Sequence, residues 1–210
     1  MTLEQTHLGK HMPKFHIGRP LRCPLPVNAG WNEIKTLDQG RLAWSVCVGI
    51  CVALIVAVIW RIYSTESLPL GSPSWSQILF SLIILSLGHE AIHLLGFPNL
   101  GMSAETVVGV WPEAGSPYVQ HLSPMSRNRF LIVSILPFLV LSILPLALAF
   151  NGAGPINLLS WLSVLNCVGA GSDLLIFHKV IRAVPTKAHV IEAEAALYWQ
   201  KQGRACTVST

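Results

Sequence analysis

His89, Glu90 and His93 form an H-E-x-x-H run inside an apolar stretch of the chain. Residues four apart share one face of an α-helix, so both imidazoles can reach a single metal ion. A carboxylate beside them can take a proton from a water that the metal activates. The chemistry this spacing fits is zinc-assisted hydrolysis. The plainer alternative is a pair of packed or hydrogen-bonded histidines. Polar groups inside a segment that could cross a bilayer are costly and need a reason to be there, which weighs against that alternative.

A catalytic zinc usually takes three protein ligands and keeps one position for water. Asp173 is the acidic residue in the other apolar segments of the chain. At 1.5 Å per residue, His89 and His93 lie roughly 16 and 22 Å along their segment, and Asp173 lies roughly 24 Å along its own. That match in depth makes Asp173 the expected third ligand. A capping or helix-pairing aspartate is the other reading. Asn166 precedes Asp173 by seven residues and faces the same way on an unbroken helix. It is a candidate to contact a substrate carbonyl or the developing oxyanion, or else to pair helices. The small residues between them, Gly169, Ala170, Gly171 and Ser172, allow a close helix approach or a local break. Gly88 leaves room for a backbone beside the metal, or serves helix packing.

These side chains need helices to carry them, and the composition fits a membrane. Of 210 residues, 52% are hydrophobic and only 11% charged, with a mean hydropathy of +0.55. A soluble domain typically has about a quarter charged residues. Four spans are expected: about Ala43 to Trp60, Ile78 to Phe97, Phe130 to Phe150 and Ile156 to Phe177. Trp44, Trp60, Trp75 and Trp161 are candidate interface anchors. Pro137 and Pro145 should bend the third span. The fold class expected is an all-α polytopic membrane protein with about four transmembrane helices. A small β-hairpin is expected between the second and third, from Thr106–Trp111 and Tyr118–His121. Residues 1–42 form a cytoplasmic N-terminal tail, 43–182 the membrane-embedded metallopeptidase-like domain and 183–210 a cytoplasmic C-terminal tail. Within the last, Glu192 to Gln200 is expected as a short interfacial helix.

Charge sets the direction. With the N-terminus inside, Arg61 alone of the fourteen Lys and Arg residues falls outside, a strong positive-inside bias. Both termini are expected to be cytoplasmic, in a multi-pass protein of the cell membrane. The polar first 42 residues give no sign of a cleavable signal peptide. Basic residues without aromatic interleaving exclude a nucleic-acid partner. Five cysteines, Cys23, Cys47, Cys51, Cys167 and Cys206, have no C-x-x-C spacing and imply no disulfide framework. Cys47 and Cys51 are expected to pack within the first helix. His7, His11 and His16 are taken as scattered tail residues rather than ligands.

The run Ser86 to Phe97 resembles the active helix of a bacterial membrane family of zincin peptidases, itself similar in plan to the site-2 proteases. The resemblance continues at Met125 to Phe130, at Pro137 and from Asn166 to Asp173, covering roughly residues 80 to 200. It implies a zinc-dependent membrane peptidase acting on membrane or membrane-proximal proteins. His89, His93 and Asp173 then correspond to the metal ligands and Glu90 to the general base. Two departures from the site-2 pattern stand out. The aspartate lies in Gly-Ser-Asp-Leu rather than Leu-Asp-Gly, and no regulatory domain is recognisable.

Three alternatives remain beside this. A gluzincin-type peptidase would take its third ligand from Glu192 or Glu194. A metal-stabilised scaffold binding transmembrane helices would need no turnover. A di-iron lipid hydroxylase ranks lowest, because the chain has no His-His pair.

Overall fold

In the computed structural model the described residues are 12–21, 30–34, 41–63, 75–152, 156–193 and 196–201. His7, His11, Cys23, Cys206 and Glu194 lie outside them. The chain divides into two compact units. One is built from residues 1–36, 94–132 and 179–210, the other from residues 37–93 and 133–178.

The second unit is helical. Long apolar runs without internal proline give α1 (Arg41–Tyr63) and α2 (Trp75–Gly96). Next come α3 (Arg127–Phe138), a π-helical turn over Leu139–Ile143, and α4 (Leu144–Phe150). Then follow α5 (Ile156–Gly169) and α6 (Gly171–Ala183). The helices α2, α3 and α6 each extend past the boundary into sequence that belongs to the first unit. The core gathers Ala53, Val56 and Trp60 of α1 with Leu146, Ala149, Leu159 and Cys167. Tyr63 Oη donates to the Ala149 carbonyl at 2.7 Å. At Gly49 an added Cβ would press on the Val168 and Cys167 backbone, and at Gly171 on that of Ser45 and Gly49. The small residues are what let α1 and the α5–α6 junction approach backbone to backbone.

The expectation of an all-α protein with four spans is overturned. Two stretches, Leu42–Tyr63 and Arg127–Phe150, are long and apolar enough to cross a membrane. A third counts only if Leu158–Gly169 and Gly171–Ala183 are one span, and these are bent by 57° at Ala170. The described apolar part of α2, Ser81–Gly96, falls short of that length. Trp60 is no interface anchor: it is fully buried in the helical core. Cys47 and Cys51 are exposed rather than packed, whereas Cys167 is buried.

The first unit is built on strands, seven of them in two sheets among the described residues. They are β1 (Lys14–Ile17), β2 (Asn32–Ile34), β3 (Thr106–Trp111), β4 (Ser116–His121), β5 (Met125–Ser126), β6 (Ala188–Ala193) and β7 (Ala196–Lys201). The hairpin β3–β4 forms where strand formers flank a turn, with Gly115 in the left-handed region. Its β3 also takes β1 as a parallel neighbour. Gly109 permits this arrangement, since a Cβ there would collide with the Tyr118 ring. The Tyr118 hydroxyl reaches His16 Nδ1 at 2.7 Å. The other sheet runs β2-β7-β6-β5. The interfacial helix expected over Glu192 to Gln200 is instead the end of β6 and most of β7. Val190, Ile191 and Leu197 are buried there, and the pairing partners β2 and β5 come from distant sequence.

The strand pairing joins three stretches that the helices separate in sequence. The stretch before α1 pairs with the α2–α3 connection through β1–β3, and with the C-terminal stretch through β2–β7. The α2–α3 connection pairs with the C-terminal stretch through β5–β6. Arg129 closes the end of α2: its Nε donates to the Gly96 carbonyl and its Nη2 to that of Phe97, both at 2.6 Å. The Gly96 oxygen is among the carbonyls a helix end leaves without partners, and the Phe97 oxygen also accepts from the Leu100 N–H at 3.1 Å.

Candidate metal centre

The helical unit brings His89, His93 and Asp173 together. Helical spacing stacks the two imidazoles on one face of α2, with ring centroids 4.9 Å apart. Asp173 sits in the first turn of α6. Its Oδ2 lies 2.9 Å from His89 Nε2 and 3.4 Å from His93 Nε2. One ligand atom from each residue lies within 4.8 Å of the others, and no other group of three or more His, Cys, Asp or Glu among the described residues does so. The side chains are 12%, 13% and 17% exposed.

The remaining ring nitrogens decide the chemistry. His93 Nδ1–H donates to the Val133 carbonyl at 2.9 Å. His89 Nδ1–H donates to Asn166 Oδ1, also at 2.9 Å. The amide orientation of Asn166 is fixed from its other end. Asn166 Nδ2 donates to the Pro137 carbonyl, which can only accept, at 3.2 Å and to Ser142 Oγ at 2.9 Å. A neutral imidazole protonated at Nδ1 presents only a lone pair at Nε2. Two lone pairs and a carboxylate oxygen therefore converge on one small volume. That arrangement repels itself unless a cation, whether a metal ion or an added proton, lies among the three. Two imidazole nitrogens and one carboxylate oxygen, each ring oriented by a hydrogen bond at its far nitrogen, fit zinc.

Local breaks in the helices make this possible. The 57° bend at Ala170 separates Asn166 on α5 from Asp173 on α6. On a straight helix the two would be spaced about 10 Å along the axis. The bend lets them address opposite edges of one imidazole. Glu90 is half-buried next to His89 on α2. Gly88 does not make room for a neighbouring backbone, since a Cβ added there meets nothing within 4 Å. Glu192 lies in β6 and is not part of the ligand group. Val133, whose carbonyl accepts from His93, and Pro137 and Ser142, which accept from Asn166, are not singled out by the motif. The one signal in the sequence is Pro137, because a proline within a helix leaves a carbonyl four residues earlier without its usual donor.

Site and helices together define a protein with a candidate His-His-Asp metal site carried on apolar helices. Residues 79–189 match the family described as Putative zincin peptidase, and this chain belongs to that family. The matched stretch is more than half of the chain and contains His89, Glu90, His93, Asn166 and Asp173. No curated protein and no solved structure matches the chain.

Proposed function

We propose that this zincin peptidase is a membrane-embedded zinc enzyme that hydrolyses peptide bonds of membrane or membrane-proximal proteins. The observation that carries the proposal is the convergence of His89 Nε2, His93 Nε2 and Asp173 Oδ2, with both Nδ1–H groups already committed elsewhere. His89, His93 and Asp173 would hold the ion. Zinc bound there supplies Lewis acidity toward water and toward a peptide carbonyl. Glu90 moves the proton. It accepts one from the attacking water and delivers it to the leaving amine nitrogen as the C–N bond breaks.

The membrane setting is supported by two helices of spanning length whose outer faces are apolar. Leu42, Leu54, Ile55, Val58 and Ile62 of α1 are all more than half exposed. Placing both termini on the cytoplasmic side is supported by the strand pairing, which ties the stretches before α1, between α2 and α3, and after α6 into one unit. Segments 1–36, 94–132 and 179–210 carry twelve of the fourteen Lys and Arg residues, all but Arg41 and Arg61. Such a bias marks the cytoplasmic side. A transmembrane substrate must unwind before its carbonyls become accessible.

Metal content of the purified protein, compared with His93→Ala, tests the centre; equal zinc in both would end this reading. Glu90→Gln tests the activity, because it should keep zinc and lose peptide cleavage. If the cellular effect of the protein survived Glu90→Gln, a scaffold role would replace the enzymatic one.

A further inference from the structure

The ring of His93 is held by a backbone oxygen in the middle of a helix, where carbonyls are normally occupied. In an α-helix the carbonyl of Val133 accepts the N–H of the residue four positions on. That residue is Pro137, which has no N–H. The oxygen thus left over is the one that His93 Nδ1–H reaches at 2.9 Å. Pro137 is itself fully buried in the interior of α3. Its own carbonyl accepts from Asn166 Nδ2, and Asn166 in turn accepts from His89. A π turn follows directly, with the Leu144 N–H bonded to Leu139 O five residues back. The irregular stretch of this helix therefore faces the metal centre from two sides. One oxygen orients His93 directly, and another anchors the amide that orients His89.

We propose that Pro137 is a positioning residue of the metal centre, acting through the carbonyl of Val133 that it leaves without a helical donor. Resting on the zinc reading above, the proposal assigns to proline a task beyond bending the helix. An N–H at position 137 would draw the Val133 oxygen into the helical ladder and make it share its lone pairs. His93 would lose its tautomer control, and its Nε2 would no longer be held as a lone pair toward Asp173. Loss of such an outer partner typically weakens metal binding about 10–100-fold.

The test uses the full chain in detergent or bilayers and measures zinc affinity by chelator competition. Wild type and His93→Ala establish whether there is a centre at all; if both bind zinc equally, the zinc reading fails, and this proposal with it. Given a working centre, Pro137→Ala restores the N–H and should weaken zinc about 10–100-fold. Replacing Pro137 with lactic acid, whose ester linkage has no N–H, should keep wild-type affinity. Pro145→Ala, in the same helical run, should also keep it. In the zinc-free protein, the ¹⁵N spectrum of His93 should show a single Nδ1–H tautomer in wild type and in the lactic acid variant. It should show tautomer exchange in Pro137→Ala. Unchanged affinity in Pro137→Ala would overturn the proposal. So would equal losses in the alanine and lactic acid variants, which would mean that only the ring's packing matters.

Discussion

Asn166 Oδ1 accepts from His89 Nδ1–H at 2.9 Å, on the ring edge opposite the one that faces Asp173. One imidazole is thereby fixed from both sides by residues that the bend at Ala170 separates. Asn166 is only 1% exposed, and both ends of its amide are engaged with the protein. Asn166→Ala removes the acceptor that keeps the proton on Nδ1. Zinc affinity should fall about 10–100-fold, and the fold should lose about 1–3 kcal/mol as buried polar groups lose their partner. Asn166→Asp keeps an acceptor and should recover part of the affinity. Chelator competition beside steady-state kinetics checks this. A fall in kcat with zinc affinity intact would assign Asn166 to the substrate instead.

The third ligand can be tested by a pair of carboxylates. Asp173 Oδ2 is within 3.4 Å of both His89 Nε2 and His93 Nε2, whereas Glu192 lies in a strand opposite Leu197. Asp173→Ala should abolish stoichiometric zinc, and Glu192→Ala should leave it unchanged. The opposite pattern in metal analysis would favour a gluzincin-type ligand set.

Two glycines should respond to alanine with opposite signs. A Cβ at Gly171 meets the backbone of Ser45 and Gly49, which cannot move without shifting α1. Gly171→Ala should therefore destabilise the helical unit by about 1–3 kcal/mol, as overpacking does. Gly88 has nothing within 4 Å of such a Cβ. Gly88→Ala should be tolerated and gain about 0.5–1 kcal/mol from reduced chain entropy. Denaturant unfolding of both variants beside wild type reads the contrast.

What the sequence reveals follows from how local each signal is. His89 and His93 are four apart on one helix, so spacing alone puts them on one face, with Glu90 next to His89 in sequence. Asp173 is readable by depth because few acids occur in apolar segments. Its approach to His89 depends on a bend that small residues permit without dictating. The hairpin β3–β4 is legible because its partners are adjacent in sequence. Strands β6 and β7 are adjacent too and pair with each other, but their outer partners β2 and β5 have three and two residues and lie far away in the chain. Such short segments carry no periodicity to read. The Trp199 and Tyr198 aromatics fit an interfacial helix as well as a strand until the partners Asn32 and Glu33 are known. Apolar length misleads at Ile156 to Phe177, where hydropathy runs on through a 57° bend.

His121 gives the strand unit a pH dependence with a definite sign. It ends β4, packs against Phe97 with ring centroids 5.4 Å apart, and is held below its ordinary pKa of 6.5 by burial, with Glu105 opposing. The unfolded chain therefore binds a proton at a pH where the folded one does not. By linkage, its contribution is fully present above about pH 6.5 and is lost as pH falls through the lowered folded value. Hydrogen exchange of the amides in 106–121 should thus speed up between pH 7.5 and 5.5 by more than intrinsic chemistry accounts for. His121→Gln cannot take up the proton and should flatten that excess. An excess that persisted undiminished in His121→Gln would place the titrating group elsewhere in the unit.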